Sequence, residues 1–451
     1  MKITVIGTGH VGLVVGLCFA EIGHEVGCHD LDQRKIGALS RGETPFYEPH
    51  LDELLRANRE RGRIRFFSDL EPHINDASVI FLCLGTPPLP DGEADLSSVE
   101  KVTRQIATHS NSYKLIVEKS TVPVLTGDRI DATMKIYGSS APFDIASNPE
   151  FLSEGTAAAD FLHPQRTVIG VESERAEKLL REIYDPILRQ CFPCPIHPQC
   201  EWKGRATPLV VTNRNSAEVI KHASNSFLAT KISFINAIAN LCERVGADVE
   251  QVALGMGLDP RIGPSFLHAG IGFGGFCFPK DLQAFVHIAE KNGYDLRLLR
   301  EVERINNEQM ERFFLKIKHE VWVLKGKRIA AWGLAFKPET DDVRFAPALT
   351  VIERLLAEGS TVAAYDPRAM DEARAALPDG SNRILYCSSA EEAAAGADAL
   401  VIFTEWKQFR EANWERLRQS MARPLIIDGR NMFQPEEMRR RGFEYASIGR
   451  P

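Results

Sequence analysis

A chain of 451 residues is too long for one ordinary hydrophobic core, so its length predicts two or three domains. Apolar residues make up 44% and charged residues 25%, as in globular proteins, and the net charge of -7 disfavours nucleic acids and anionic membranes as partners. No apolar run is long enough to span a bilayer. We therefore expect a cytoplasmic protein, without membrane insertion or nucleic-acid binding, whose nine cysteines remain thiols.

Residues 1–30 predict a nucleotide-binding unit. A β-branched strand over residues 2–6 enters a glycine turn, an apolar helix follows over 13–22, and a strand over 25–29 ends at Asp30. Glycines let a pyrophosphate approach the helix N-terminus, and an acid about 20 residues further on binds the ribose hydroxyls. Because such an acid repels a 2′-phosphate, the pattern predicts NAD rather than NADP. The turn consists of Gly7, Thr8, Gly9, His10, Val11 and Gly12.

Two further buried strands lead into polar turns, GTPP at residues 85–88 and KSTVP at residues 119–123. Ligands of open parallel sheets lie at the carboxyl ends of the strands, which would place Thr86, Ser120 and Thr121 beside a cofactor or substrate. Ordinary turn chemistry is the alternative, because these residue types are common in turns.

A segment rich in cysteine and proline follows at residues 191–200. Its Cys191, Cys194, His197 and Cys200 are residue types that bind zinc. The prolines make the segment stiff, however, and no CxxC pair recurs. We expect a structural loop without a metal, with zinc as the alternative.

A long proline-free stretch over residues 215–245 has apolar residues at helical spacing and predicts one long helix. Lys221 and Asn225 lie four residues apart and therefore share a face. A lysine among apolar residues is usually a surface residue whose aliphatic stem covers its neighbours. The alternative is a pair that faces a site and stabilises a developing oxyanion.

The segment GFGGFCFPKD at residues 272–281 places a thiol close to three glycines, which let the backbone approach a bound molecule. Pro279 suits the first turn of a helix, so Cys277 would lie near a helix N-terminus, where the dipole favours the thiolate. Asp281 follows one turn later and could orient a water or a basic group. A packing thiol and a nucleophile are both compatible with this segment.

The C-terminal part repeats the α/β pattern without a GxGxxG motif, so it need not bind NAD. Strands are predicted over residues 327–332, 361–365, 399–403 and 425–427. The expected fold is α/β, with two Rossmann-like parallel-sheet domains joined by a long central helix. The predicted domains are residues 1–207, 208–323 and 324–451.

The segments GTGHVG, KSTVP, NPEFLSEG, IKHASN, DPRIG, GFGGFCFPKD, GLAFKPETDD and DGRN follow one another along the chain. Together they resemble the UDP-glucose/GDP-mannose dehydrogenase family over nearly the whole sequence. Within that family, Phe273 and the intact NPEFL segment are similar to members that act on UDP-glucose.

The resemblance implies a four-electron oxidation of UDP-glucose to UDP-glucuronate, with two NAD reduced and no aldehyde released. Cys277 would form a thiohemiacetal and then a thioester. The resemblance also implies that residues 1–207 bind NAD and that residues 208–323 form a helical dimerisation domain with the catalytic cysteine loop. Residues 324–451 would bind the UDP-sugar, in a homodimer or higher homo-oligomer.

The resemblance assigns roles to individual residues. Glu150 matches the general acid/base of thioester hydrolysis, Lys221 and Asn225 match an oxyanion-stabilising pair, and Arg261 matches an arginine that reaches the partner subunit. The implied catalytic residues are Cys277, Glu150, Lys221, Asn225, Asp281 and Thr121, the last two organising the water. The implied NAD contacts are Gly7, Thr8, Gly9, His10, Val11, Gly12, Asp30, Lys35, Thr86, Thr121, Glu154 and Arg344. The implied substrate contacts are Glu150, Phe151, Leu152, Ser153, Glu154, Lys221, Asn225, Arg261, His268, Gly272, Phe273, Gly274, Phe336, Lys337 and Arg430.

The sequence departs from the family pattern at Leu125, in a stretch over residues 191–207 that looks longer than usual, and at two places near the predicted site. Phe276 stands before the cysteine, where the family usually has serine, and Phe345 and Ala346 replace a usual Glu-Ser. Two alternatives therefore stay open. One is the same chemistry on another nucleotide sugar, a UDP-hexosamine or GDP-mannose, and the other is a catalytically silent relative that binds a nucleotide sugar.

Overall fold

The computed structural model describes residues 1–87, 89, 93–138, 141–197, 199–377 and 383–451. Pro88 and Pro198, which belong to two of the segments singled out above, lie outside them. The chain packs as two compact units. The first comprises residues 1–224 and 283–292, and the second comprises residues 225–282 and 293–451.

The first unit is built on an eight-stranded sheet of order β3-β2-β1-β4-β5-β6-β7-β8. Its first six strands have the order 3-2-1-4-5-6 of a dinucleotide-binding sheet. Every pairing in it is parallel except that of β6 with β7. The strands are β1 (Lys2–Ile6), β2 (Glu25–His29), β3 (Ile64–Phe67), β4 (Val79–Leu82), β5 (Lys114–Glu118), β6 (Phe143–Ser147), β7 (Thr167–Gly170) and β8 (Leu209–Thr212).

The helices of this unit cover the sheet with apolar faces. The last of them, for example, starts at a Ser173 side chain that accepts from the Ala176 amide, and it buries Leu180, Ile183 and Ile187 at helical spacing. The first was predicted over residues 13–22 and begins three residues earlier. The helices are α1 (His10–Glu21), α2 (Gln33–Arg41), α3 (Leu51–Glu60), α4 (Ser97–His109), α5 (Thr126–Ile136), α6 (Ala157–Leu162) and α7 (Glu174–Arg189), with a 3-10 turn at Glu71–His73.

Four helices follow in the middle of the chain: α8 (Arg214–Val245), α9 (Val249–Gly257), α10 (Cys277–Lys291) and α11 (Arg297–Val321). The long helix predicted over residues 215–245 is α8. The division between the two units falls inside α8 and again inside α10.

The second unit contains a six-stranded sheet of order β11-β10-β9-β12-β13-β14, again the 3-2-1-4-5-6 pattern, with every pairing parallel. Its strands are β9 (Arg328–Trp332), β10 (Thr361–Tyr365), β11 (Ile384–Tyr386), β12 (Ala399–Ile402), β13 (Leu425–Asp428) and β14 (Glu444–Ser447). Its remaining helices are α12 (Pro347–Ala357), α13 (Met370–Ala376), α14 (Ala390–Ala394), α15 (Lys407–Arg410), α16 (Trp414–Ser420) and α17 (Pro435–Arg440).

The predicted fold class is confirmed: two Rossmann-like sheets, with a long helix between them in the chain. The three-domain division at residues 207/208 and 323/324 stays a prediction. In the described part of the chain, no helix is both long and apolar enough to cross a membrane.

Candidate active site

The glycine turn after β1 has the shape that the sequence predicts. Gly7 has a φ of +96°, and a Cβ on it would lie 2.3 Å from the Cys83 carbonyl oxygen. A Cβ on Gly12 would lie 1.9 Å from the Gly7 carbonyl oxygen, so α1 can pack on the turn only with glycine there. A Cβ on Gly9 would meet nothing within 4 Å. Gly9 therefore leaves open space at the N-terminus of α1, where a pyrophosphate would approach.

Asp30, at the carboxyl end of β2, accepts hydrogen bonds from several donors. The Thr8 amide and hydroxyl donate to its Oδ2 at 2.9 and 2.8 Å, and the Asp32 amide donates to its Oδ1 at 3.0 Å. Lys35 Nζ lies 3.1 Å from Oδ2. Burial opposes ionisation, but these hydrogen bonds outweigh it and lower the pKa of Asp30 to about 2. An ionised acceptor at this position fits the ribose of NAD.

The turns after β4 and β5 contact each other. The Thr86 hydroxyl donates to the Thr121 carbonyl oxygen at 2.9 Å. Ser120 is buried, and its hydroxyl donates to the Leu82 carbonyl oxygen at 3.2 Å. Thr86 and Thr121 thus lie at the same edge of the sheet as Asp30.

Glu150 and Lys221 form a buried ion pair. Lys221 Nζ lies 2.9 Å from Glu150 Oε1, and each side chain is 5% exposed. The Leu152 amide donates to the other oxygen of Glu150 at 2.5 Å. This burial is not that of a surface lysine, the alternative that the sequence left open, and the place of Lys221 in a site stays a prediction. Charge held in a dry environment polarises a reacting group more strongly than charge in water.

A cleft of about 100 Å³ in the first unit contains Glu150 and a residue that the sequence analysis left unassigned, Lys119. Lys119 Nζ lies 3.0 Å from Asn148 Oδ1 and 3.3 Å from the Tyr184 hydroxyl. Burial lowers the pKa of Lys119 to about 8. Such a lysine can exchange a proton near neutral pH. In the same cleft the Arg166 guanidinium lies 3.6 Å from the centre of the Phe151 ring.

The predicted segment around Phe151 is held by another unassigned residue. The buried Glu48 accepts from the Gly155 amide at 2.7 Å and from the Ala157 amide at 2.8 Å. Leu152 and Glu154 are half-buried in this segment, and Ser153 is exposed. Glu48 therefore fixes the turn between the NPEFL residues and α6.

Cys277 is the first residue of α10 and is exposed, so the thiol lies at a helix N-terminus as the sequence predicts. Asp281 is one turn further along and is almost fully buried. Asn225 Nδ2 donates to Asp281 Oδ2 at 2.6 Å, and Lys280 Nζ lies 3.0 Å from Oδ1. The structure thus brings Asn225 and Asp281 together and keeps the carboxylate in one orientation on the helix that begins with Cys277.

The glycine-rich loop before Cys277 is fixed by buried amides on α8 and α11. Asn306 accepts from the Phe273 amide at 2.8 Å and donates to the Phe273 carbonyl at 3.1 Å. Asn236 accepts from the Gly270 amide at 2.8 Å, and Gln309 donates to the Gly270 carbonyl at 2.8 Å. A Cβ on Gly272 would lie 2.8 Å from Asn306 Oδ1, so the loop can approach α11 this closely only with glycine there.

Arg430, at the end of β13, contacts the predicted substrate loop. Its guanidinium donates to the carbonyl oxygens of Phe403 at 2.7 Å, Phe336 at 3.1 Å and Gly272 at 3.4 Å. A Cβ on Gly274 would lie 2.3 Å from the Phe345 carbonyl oxygen. The structure therefore brings Gly272, Gly274, Phe336 and Arg430 together within the second unit.

Phe276, the residue that departs from the family pattern, contacts the predicted cofactor residue Arg344. The Arg344 guanidinium lies 4.4 Å from the centre of the Phe276 ring and pairs with Asp342 at 2.7 Å. Lys280 Nζ lies 5.5 Å from the same ring. The ring thus takes part in cation–π contacts, which add about 0.5–1 kcal/mol at exposed positions.

The other predicted residues of the second unit lie nearer the surface. Arg261 is exposed and forms a bidentate pair with Asp259 at 3.0 and 2.6 Å in its own turn. His268 is exposed, and Lys337 Nζ lies 5.5 Å from the Phe336 ring centre.

Three domain profiles of one family match the chain in order. They are the NAD binding domain of the UDP-glucose/GDP-mannose dehydrogenase family at residues 1–188, its central domain at 215–308 and its UDP binding domain at 330–435. The chain belongs to this family. It is an NAD-dependent dehydrogenase, and the predicted family, cofactor and enzyme class are confirmed.

The relatives cover the whole chain. A UDP-glucose 6-dehydrogenase of Rhizobium meliloti is 45% identical over 457 residues, covering 100% of both chains. The UDP-glucose 6-dehydrogenase TuaD of Bacillus subtilis is 45% identical over 451 residues, 100% of this chain and 93% of its own. The structure of a UDP-glucose dehydrogenase from Pyrobaculum islandicum superposes with a TM-score of 0.88 at 34% identity, covering 100% of this chain and 98% of the other.

Proposed function

We propose that this enzyme oxidises UDP-glucose to UDP-glucuronate with two equivalents of NAD. The observation that carries the proposal is the thiol at the start of α10, one turn before an Asp281 carboxylate that Asn225 holds in place. A simple alcohol dehydrogenase has no need of a nucleophile there. A thiol becomes necessary when an aldehyde must be oxidised further, because the carbonyl carbon has to gain a fourth substituent before it can lose a second hydride.

The two oxidations differ in what the chain must do. Bound NAD, held by the glycine turn and Asp30, supplies the hydride acceptor for both. In the first, the C6 hydroxyl gives its proton to a basic group, for which Lys119, whose pKa burial lowers to about 8, is the candidate. In the second, Cys277 Sγ forms a bond to the aldehyde carbon, and the oxygen takes a proton to give a thiohemiacetal. Loss of that proton and of the second hydride leaves a thioester on Cys277.

Hydrolysis then releases the product. A water, organised by Thr121 and Asp281, loses a proton to Glu150 and adds to the thioester carbon. The C–S bond breaks, the thiolate leaves and the carboxylate forms. Lys221 and Asn225 stabilise the oxyanion of the tetrahedral intermediate, as preorganised donors do in acyl-transfer enzymes. Per UDP-glucose, one water is consumed and two NADH and three protons are formed.

The test is the ratio of NADH formed to UDP-glucose consumed, measured with excess NAD. The expected ratio is about two, with UDP-glucuronate as the only sugar product. A ratio of one with free aldehyde would refute the role of Cys277. A faster turnover of GDP-mannose or a UDP-hexosamine than of UDP-glucose would mean that the mechanism is right and the proposed substrate is wrong. Binding of UDP-glucose without formation of NADH would indicate that the protein is a catalytically silent relative of the family.

Variants separate the steps. Cys277→Ser should retain a slow first oxidation and form no UDP-glucuronate, whereas Cys191→Ser, at another exposed thiol, should retain the two-to-one ratio. Full turnover by Cys277→Ser would contradict the thioester.

We also propose that the enzyme works as a homodimer or higher homo-oligomer in the cytoplasm. The support is the exposed Arg261, which the resemblance assigns to a partner's site, and nine thiols that form no disulfide, as expected in a reducing compartment. Arg261→Ala should raise the KM for UDP-glucose without changing the mass in light scattering. An unchanged KM would make Arg261 an ordinary surface charge, and a monomeric wild type with full activity would exclude the shared site.

A further inference from the structure

The segment at residues 191–200, in which the sequence suggested a structural loop, meets a histidine from a distant part of the chain. His163 lies in the turn after α6, 31 residues before Cys194. Its Nε2 lies 3.1 Å from Cys194 Sγ and 3.7 Å from Cys200 Sγ. His197 Nδ1 lies 3.5 Å from Cys194 Sγ. The four ligand atoms all lie within 4.8 Å of one another.

The three separations between a histidine nitrogen and a cysteine sulfur, 3.1 to 3.7 Å, are close to the edges of a metal tetrahedron. Bonds of about 2.3 Å from zinc to sulfur and about 2.0–2.1 Å to nitrogen give ligand-to-ligand edges of about 3.3–3.8 Å. A hydrogen bond between one thiol and one imidazole would explain a single short contact. It would not explain why one ligand atom from each of two thiols and two imidazoles lies within 4.8 Å of the other three. We propose that Cys194, Cys200, His163 and His197 bind a structural zinc ion.

The surroundings of His163 fix which nitrogen faces the sulfurs. Its Nδ1 lies 2.6 Å from Gln190 Oε1. The Gln190 Nε2 donates to the carbonyl oxygens of Leu162 and Ile187 at 2.8 and 2.9 Å, so the amide oxygen must face the imidazole. His163 Nδ1 therefore carries the proton, and Nε2 presents its lone pair to the thiols. Histidines that bind metals are commonly held in this way by a second hydrogen bond.

Buried side chains and ring packing hold His163 of this cluster in place. His163 and Gln190 are buried, and the rings of Phe192 and Trp202 stack on the imidazole with interplanar angles of 17°. The His197 amide lies 3.3 Å from Cys194 Sγ and donates to it, which stabilises a thiolate. Two thiolates and two neutral imidazoles balance the charge of a divalent ion. Thiolate and imidazole in a tetrahedron select zinc over the harder divalent ions.

The ion has a structural task at this position. The described residues between 191 and β8 form turns and bends, and the ion would attach them to the turn after α6. That turn forms one wall of a cleft, because His163 lines it. Glu150 and Phe151 line the same cleft. Zinc would thus keep this wall in place without taking part in the oxidation.

The first experiment measures metal in tag-free protein, purified without chelator, by inductively coupled plasma mass spectrometry. We expect about one zinc per chain. Cys194→Ser and Cys200→Ser should lose most of it. Cys191→Ser is the matched control, because Cys191 is an exposed thiol of the same segment outside the cluster, and it should keep the zinc. Less than a tenth of an equivalent in wild type, before and after incubation with zinc, would overturn the proposal.

A second measurement on the wild type keeps the proposal testable if the variants misfold. Alkylation followed by peptide mass spectrometry should find Cys194 and Cys200 protected and Cys191 modified, and a zinc chelator should remove that protection and lower the melting temperature. Cobalt substitution should give the absorption of a tetrahedral ion with thiolate ligands. A disulfide between Cys194 and Cys200 in protein purified under reducing conditions, or protection that a chelator leaves unchanged, would refute zinc.

Discussion

The ion pair between Glu150 and Lys221 allows a prediction about stability that is separate from catalysis. At 2.9 Å and an effective dielectric of about 20, the attraction is about 6 kcal/mol. Transfer of the two ions from water costs several kcal/mol each, on the order of the attraction itself. Glu150→Gln removes the attraction but leaves the buried ammonium with its transfer cost. We therefore expect it to destabilise the first unit by about 3–5 kcal/mol.

Lys221→Met should destabilise the unit by a similar amount, since it leaves the Glu150 carboxylate buried without this ammonium. In the double variant Glu150→Gln/Lys221→Met both transfer costs disappear. We expect the double variant to lose less free energy of unfolding than the sum of the losses in the two single variants, by about 2 kcal/mol or more. The matched control is Asp131→Asn, which breaks an exposed pair with Lys135 on α5 of the same unit and should cost less than about 0.5 kcal/mol.

Urea unfolding followed by circular dichroism measures these costs. The transition of the first unit can be recognised because NAD shifts it, as a ligand of the native state must. If the free-energy loss of the double variant equals the sum of the two single losses to within about 0.5 kcal/mol, the two charges are not coupled and the electrostatic reasoning is wrong. Separately, Glu150→Gln should accumulate a Cys277 thioester that mass spectrometry of the intact protein detects.

Three further predictions concern other parts of the molecule. Gly12→Ala should lower the melting temperature, because its Cβ would lie 1.9 Å from a carbonyl oxygen. Gly9→Ala should leave the melting temperature unchanged and weaken only NAD binding, measured by calorimetry. Equal melting temperatures of the two variants would contradict this. Burial raises the pKa of Glu118 to about 8 from its usual 4.5, so its stabilisation is complete below pH 4.5 and is lost as the pH rises through 8. Glu118→Gln should flatten that decline in melting temperature, and an unchanged slope would exclude it as the cause. Asn306→Leu removes two hydrogen bonds of about 1 kcal/mol each from the cysteine loop, and should raise the KM for UDP-glucose about tenfold; an unchanged KM would show that the loop needs no such support.

The parts of the site that the sequence predicted are local in the chain. Short local patterns predict the glycine turn, Asp30 and the start of α10 at Cys277, because each depends on residues only a few positions apart. Asn306, Glu48 and Lys119 were not predicted, although each carries a buried hydrogen-bonding group. Asn306 serves a loop 33 residues away, and Glu48 serves a turn more than 100 residues away. No periodicity or motif spacing encodes such partners; only the folded chain brings them together.

The two sheets also show why strand order alone does not predict a cofactor. Both have the order 3-2-1-4-5-6, and both have an aspartate after the second strand of that order. In the second unit that aspartate, Asp366, is 1% exposed and accepts from the amides of Leu334 and Ala335 at 2.6 and 3.1 Å and from the Trp406 indole at 3.2 Å. Its other oxygen accepts from two more amides.

With both oxygens buried and hydrogen-bonded, Asp366 has no face left for a ribose. The chain after Gly333 also runs to Pro347 before the next helix begins, so no helix N-terminus stands at this turn to receive a pyrophosphate. That long connection instead carries Phe336, Lys337 and Arg344. Asp30, with 15% of its side chain exposed beside the open space at Gly9, is the only one of the two aspartates that can bind NAD.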